Sequence, residues 1–298
     1  MWVNLHSVVI LQSTHSNGLA GAFHLDPRLG LAVGSIPMVG GHGTAGAFGP
    51  VLEEAGVAGA NAVAIASATF GLVAGCVIGG PLAYRRIHSL NLKSTETATG
   101  SDEITVDKNE VTGAIDSRRF LDSALYLAIA IGAGTIVSLF LNKLMTFPSY
   151  IGAMVVAAII RNVVDATHKD MPMEEISTIG SFSLSLFLGL AMMGLKLWQL
   201  AELALPMIVM LAAQTVLMAI FAYFVVFNLL GKNYDAAVMT SGFCGFGMGA
   251  TPNAMANMQA ITSKYGPAPT AYFVVPLVGS LFIDFFNALI ITTFMNFL

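Results

Sequence analysis

Two glycine-rich stretches and one carboxylate are the residues of this chain whose types and spacing could do chemistry. Gly40-Gly41-His42-Gly43-Thr44 lies inside an apolar segment at 32–50, and Gly245-Phe246-Gly247-Met248-Gly249-Ala250-Thr251-Pro252-Asn253 lies inside another at 236–262. So much glycine, with Pro252 in the second stretch, breaks a helix. A broken helix presents backbone N–H groups and the positive end of its dipole at the start of each half, which is a ready anion-binding arrangement. Gly40, Gly41, Gly43, Gly245, Gly247 and Gly249 let that backbone approach a ligand closely. Thr44, Thr251 and Asn253 add hydroxyl and amide donors beside it, and Ala250 stands between the last glycine and Thr251. His42 could donate to an anionic ligand or relay a proton, or it could be a neutral imidazole satisfied by backbone; the sequence leaves both open. Glycine is also common where membrane helices pack closely, and that reading competes for both stretches.

Asp284 stands midway along the last apolar segment, with Asn287 one helical turn further on the same face. A carboxylate at membrane depth is costly and usually functional. Oxygen ligands suit a hard cation such as Na+ by analogy with other hard cations; the other reading is a protonated Asp284 hydrogen-bonded across helices. Gln214, also mid-segment, reads as an interhelical hydrogen bond. Cys76 and Cys244 form no CxxC and read as packing residues. Neither a nucleophile–base pair nor HExxH is legible, so the chain does not read as an enzyme.

These residues need elements to hold them. The chain has 298 residues, 56% hydrophobic and 10% charged, with mean hydropathy +0.76. Soluble domains carry about 25% charged residues, so the natural solvent of this surface is a lipid bilayer. No basic run points to nucleic acid. Apolar stretches long enough to span the bilayer fall at about 61–84, 119–142, 146–164, 176–195, 203–230 and 270–297. Residues 1–23 are a poor span, because Gln12, Ser13, Thr14, His15, Ser16 and Asn17 interrupt them. The expected fold class is an all-α polytopic membrane protein. The two glycine-rich segments are expected as re-entrant hairpins, since non-helical backbone at membrane depth survives only inside protein or against a watery cavity.

The polar stretch 85–118 reads as a cytoplasmic linker between an incomplete first repeat at 1–84 and a second repeat at 119–298. Threading the spans alternately from that linker puts ten Lys and Arg inside and three (Arg28, Lys143 and Lys196) outside. The first hairpin then enters from outside and the second from the cytoplasm. Each hairpin is followed by a polar stretch and a span, in opposite directions, which is the pattern of inverted repeats. The second repeat has four spans before its hairpin and the first has one poor one, so the expectation is that about three spans, on the order of 100 residues, are missing from the front.

Longer strings resemble one family. Ser35-Ile-Pro-Met-Val-Gly-Gly-His-Gly-Thr44 with Ala68-Thr-Phe-Gly-Leu72, Ser183 to Leu188, Met193 to Trp198, Gly231 to Ala237, and Cys244 to Thr262 resemble the motifs of the bacterial sodium/glutamate symporters, from about Asp26 onward. The resemblance implies symport of L-glutamate with Na+ as coupling ion and no organic cofactor, in a multi-pass protein of the bacterial inner membrane. It further implies two inverted repeats of five spans plus one hairpin each, a homodimer, and elevator-like movement of a transport domain. Glutamate would bring two carboxylates and one ammonium, and no Lys or Arg stands in the middle of a full span or hairpin. The positive field would then come from the broken helices. The other readings are a transport-inactive fragment, a transporter of another small organic anion, or a channel, although no ring of charge or repeated filter is legible.

The charge asymmetry is directly testable. A reporter fused after Leu298 is expected on the outside, and cysteines within 90–110 are expected to react only with reagent supplied to the cytoplasmic face. The reverse labelling pattern would overturn the orientation.

Overall fold

The computed structural model describes residues 1–94, 116–143, 148, 150–193, 197–279 and 283–298. All regular structure among them is helical: α1 (Trp2–Ala22), a 3-10 turn (Pro27–Ala32), α2 (Ser35–Glu54), α3 (Ala60–Ser89), α4 (Ser117–Leu141), α5 (Tyr150–Ala166), α6 (Met173–Met193), α7 (Leu197–Glu202), α8 (Ala204–Phe221), a π-helical segment (Ala222–Val226), α9 (Phe227–Leu229), α10 (Tyr234–Gly247), α11 (Thr251–Tyr265), α12 (Pro269–Val278) and α13 (Asp284–Phe297). The helices Ala60–Ser89, Ser117–Leu141 and Ala204–Leu229 are each long and apolar enough to cross a membrane. The chain forms two compact units, Gly100–Leu195 and the remainder, Met1–Thr99 with Lys196–Leu298.

The smaller unit packs α4 against α5 and α6. Its tightest contact is glycine on backbone: a methyl on Gly134 would strike Ala153, and one on Gly152 would strike Gly134 and Ser138. The Gly152 N–H donates to Ser138 Oγ at 3.1 Å. Arg119 ties one end, donating to Asp170 at 2.7 Å and Glu175 at 2.9 Å. Leu121, Leu125, Ile136, Leu139 and Phe140 of α4 all point outward, which suits a surface meeting hydrocarbon rather than water.

In the larger unit α3 is the central post. At 1.5 Å per residue its 30 residues run about 45 Å. Gly71, Gly75 and Gly79 recur every four residues and so share one face. A methyl at Gly71 would strike the Met248 carbonyl, and one at Gly75 would sit 3.1 Å from the Cys244 carbonyl oxygen. At Gly79 it would sit 2.9 Å from the Ser241 carbonyl oxygen and strike the Asn257 side chain. The pairings 71–248, 75–244 and 79–241 descend on one helix as they climb on the other, so α10 runs antiparallel to α3, backbone on backbone.

Four of the six polar residues that mark 1–23 as a poor span, Gln12, Ser13, Ser16 and Asn17, lie on the inward face of a regular helix, with His15 half-buried and Thr14 exposed. Gln12, Ser13 and Ser16 of α1 are fully buried, whereas Val3 and Ile10 are 68% and 48% exposed. A helix between lipid and a polar interior puts its apolar residues outside. Helix α3 also runs past the expected end of its span, taking in Arg85 and Arg86. The Arg86 guanidinium lies 3.6 Å from the Tyr223 ring centroid and donates to the Tyr223 carbonyl at 2.5 Å. Tyr223 belongs to the π-helical segment, where the widened turn disturbs the regular carbonyl ladder. Residues 95–115 of the expected linker lie outside the described residues. Within the expected span 270–297 the described residues form α12 and α13, and 280–282 lie outside the described residues.

The glycine face of α3 makes a local test. Gly79→Ala is expected to cost about 1–3 kcal/mol by overpacking. Gly80→Ala, where a methyl meets nothing within 4 Å, is expected to be neutral or stabilising. Thermal unfolding of the purified protein in detergent reads both, and equal melting temperatures would contradict the packing described.

Candidate functional site

The first glycine-rich segment leaves and returns to one place. Arg28 donates to the Ala55 carbonyl at 3.1 Å and pairs with Asp26 at 2.6 Å, so residues 26–28 sit beside the end of α2. The guanidinium holds the Asp26 carboxyl below the usual carboxylate range by direct hydrogen bonding. From there the chain runs along α1. Gly30 packs on the Ser16–Asn17 backbone, and Ser35 Oγ lies 2.8 Å from Ser13 Oγ. Within α2 the helix breaks at Gly41, with φ 59° and ψ −155°. Only glycine adopts that backbone readily. Residues 42–54 then return alongside α3, where His42 meets Thr69 and Gly49 packs on Asn61. Residues 28–55 are thus a hairpin with Gly41 at its turn.

The second segment repeats this arrangement from the other end of α3. Helices α10 and α11 lie antiparallel: Asn257 Nδ2 donates to the Ser241 carbonyl at 3.1 Å, Gly242 packs on Met258, and Gly245 packs on Asn253 and Ala254. The helix stops at Gly247 and restarts at Thr251, with Pro252 in the first turn, where a missing N–H costs nothing. Tyr234 donates to the Gly266 carbonyl at 2.6 Å, closing the base as Arg28 closes the first. That base lies at the C-terminal end of α3, with His88 Nε2 3.3 Å from the Tyr265 hydroxyl. The base of the first lies at the N-terminal end, by Asn61. The hairpins therefore approach from opposite ends of one helix.

Their turns meet. A methyl on Gly41 would sit 2.9 Å from the Gly249 carbonyl oxygen and 3.8 Å from the Ala250 side chain. The half-helices that begin at this meeting point, 42–54 and Thr251–Tyr265, both present their N-terminal ends to it. Those that end there, 35–40 and Tyr234–Gly247, present their C-terminal ends. Two positive and two negative dipole ends are thus collected in one place, and neither 32–50 nor 236–262 carries a Lys or Arg. Such a site can take a ligand carrying both signs of charge.

The sequence-predicted residues fall unevenly around it. Gly41, Gly247 and Gly249 are buried. Gly43 is exposed, and a methyl there meets nothing within 4 Å. His42, Thr44, Ala250, Thr251 and Asn253 are half-buried. Thr44 folds back over Gly40. Asn253 spends its amide on the Leu72 carbonyl at 2.9 Å, so that nitrogen is committed to α3. Asn287 is buried and donates to the Ser35 carbonyl at 3.4 Å, while its Oδ1 has no partner. Asp284 begins α13, and its side chain lies outside the described residues.

Sequence reasoning missed two participants. Thr69 Oγ1 donates to the Ile65 carbonyl at 3.2 Å and so is left to accept from His42 Nε2 at 3.0 Å. Thr69 lies in a string singled out only for family resemblance. Gln12 donates to the Gly247 carbonyl at 2.8 Å, and Gln214 donates to the Gln12 carbonyl at 2.9 Å. The interhelical role expected of Gln214 is therefore present, with a partner in α1 that sequence reading had set aside.

Broken helices whose turns meet inside an apolar, all-helical unit are an arrangement that many secondary membrane transporters use. The family model for the sodium/glutamate symporter matches residues 1–267. The chain is 42% identical over 295 residues to a sodium/glutamate symporter of Escherichia coli (strain K12), covering 97% of this chain and 73% of that protein. It is 36% identical over 275 residues to one from Haemophilus influenzae, covering 90% of this chain and 67% of the relative. No solved structure matches. The chain belongs to the sodium/glutamate symporter family, a family of transporters rather than enzymes. The match begins at residue 1, so it takes in α1, which the resemblance read from about Asp26 had left out.

Gly41 is the most constrained residue of the site. Gly41→Ala is expected to destabilise by about 1–3 kcal/mol from backbone strain alone, while Gly43→Ala is expected to leave the melting temperature within a degree. Equal effects at the two positions would contradict the turn at Gly41.

Proposed function

We propose that this chain is a sodium-coupled glutamate symporter of the bacterial inner membrane, working by elevator-like alternating access. The observation that carries the reading is the contact of the two helix breaks at Gly41 and Gly249. In this reading residues 32–50 and 236–262 are re-entrant hairpins of two inverted repeats, on either side of the linker at 85–118. The substrate carboxylates lie against the half-helix N-termini at Gly41-His42-Gly43-Thr44 and Ala250-Thr251, with Asn253 beside them. The Gly249 carbonyl, at the meeting point with Gly41, faces the ammonium. His42, with Nε2–H given to Thr69, keeps Nδ1 as an acceptor, which suits the substrate ammonium and not a carboxylate. Na+ at Asp284 and Asn287 offsets the substrate's negative charge, using the unpartnered Asn287 Oδ1. The unit that holds both breaks carries the substrate, and the protein works as a homodimer.

Purified chain in liposomes with an inward Na+ gradient tests the whole reading. Labelled glutamate is expected to accumulate with Na+ and not with choline. Cysteines at Thr44 and Thr251 are expected to lose reactivity when glutamate and Na+ are both present. Uptake that ignores the gradient would overturn the coupling, and protection at neither cysteine would reduce the hairpins to packing elements.

A further inference from the structure

Behind the second turn lies a cluster of uncharged polar side chains that substrate binding does not use. Gln12 and Gln214 are both fully buried. Gln12 Nε2 donates to the Gly247 carbonyl at 2.8 Å. Gln214 Nε2 donates to the Gln12 carbonyl at 2.9 Å and to Ser16 Oγ. Ser16 Oγ donates in turn to the Gln12 carbonyl at 2.6 Å. Both amide nitrogens meet backbone carbonyls, which only accept, so neither amide can be flipped without setting oxygen against oxygen. That leaves Gln12 Oε1 and Gln214 Oε1 as buried acceptors, and neither has a donor.

Two orphaned carbonyl oxygens in a unit surrounded by hydrocarbon need an explanation. Water is a poor one. A water can donate to both oxygens, but of the donors its own lone pairs would then need, Gln214 Nε2 and the Ser16 hydroxyl are committed and only the second N–H of Gln12 Nε2 is left. The nearby Asn17 amide, also unpartnered, lies about 140° round α1 from Gln12, whereas Ser16 lies about 40° away, at 3.6 residues per turn. A cation needs acceptors only. The cluster also sits at the C-terminal end of α10, the negative end of that half-helix. Neutral amide and carbonyl oxygens with no carboxylate among them suit a monovalent hard cation better than a divalent one.

We propose that Gln12 and Gln214, with the C-terminal carbonyls of α10, form a sodium-ion site at the turn of the second hairpin, separate from Asp284 and Asn287. The proposal rests on the reading of the chain as Na+-coupled. Bound there, Na+ would join α1 and α8 to the end of α10. It would thereby set the position of the Gly247–Gly249 carbonyls that close on the first hairpin at Gly41.

The experiment is binding of radioactive Na+ to the purified full chain in detergent, together with its melting temperature in NaCl and in choline chloride. Gln12→Leu and Gln214→Leu are expected to weaken the Na+ midpoint at least tenfold and to lose most of the Na+-dependent rise in melting temperature. A merely structural role would lower the melting temperature equally in both salts. Gln12→Asn and Gln214→Asn keep an amide but draw its oxygen back by one methylene, and are expected to weaken the midpoint several-fold; they decide the matter should the leucine variants not fold. Wild-type midpoints in every folded variant would overturn this site and leave the symport reading standing. A wild-type chain that binds no Na+ would overturn both.

Discussion

The larger unit depends on one constraint: backbone polar groups removed from helical hydrogen bonding must still find partners where no bulk water reaches. Each helix break releases several N–H and carbonyl groups, and each orphan in hydrocarbon costs several kcal/mol. The breaks exist because neighbouring elements are built to receive them. Gln12 takes the Gly247 carbonyl, and Asn253 and Asn257 bind carbonyls of α3 at Leu72 and Gly75. Ala250 N–H closes on Gly245 at 3.3 Å. Remove these partners and a discontinuous helix becomes an expensive continuous defect.

Close approach makes that partnership possible. The glycine face of α3 at positions 71, 75 and 79 lets the backbone of α10 lie directly against it, so short side chains of α11 reach α3 carbonyls without crossing a layer of bulky residues. The same closeness fixes the depth of the second turn, because α10 cannot slide along α3 without driving a side chain into a glycine niche. The first turn is held from another side, through Ser13 and Ser35 on α1 and α2 and through Asn287 on α13. Two independently anchored turns then touch at Gly41, where any side chain would intrude on the Gly249 carbonyl. This convergence of four helix ends collects both signs of partial charge in one place, with no Lys or Arg in either glycine-rich segment.

Composition and local chemistry made much of this legible. Low charge and long apolar runs determined a helical membrane protein, since no other solvent suits such a surface. The density of glycine at 40–46 and 242–249, with Pro252, determined that two helices must break, because backbone propensity acts locally. Strings around the breaks determined the family. What the sequence could not decide depends on neighbours far along the chain. Gln12, Ser13 and Ser16 read as flaws in a span because a linear scan cannot know that their face looks inward; only α2, α8 and α10 packed against α1 give them partners, Ser35, Gln214 and the Gly247 carbonyl. Thr69 acquires a role only because the return arm of the first hairpin brings His42 alongside it, 27 residues away in sequence. That the turns meet, and that Gly41 rather than its glycine neighbours makes the first, was decided by tertiary structure alone. Contact between positions over 200 residues apart is set by how helices pack on the α3 post, and periodicity along a single helix carries no trace of it.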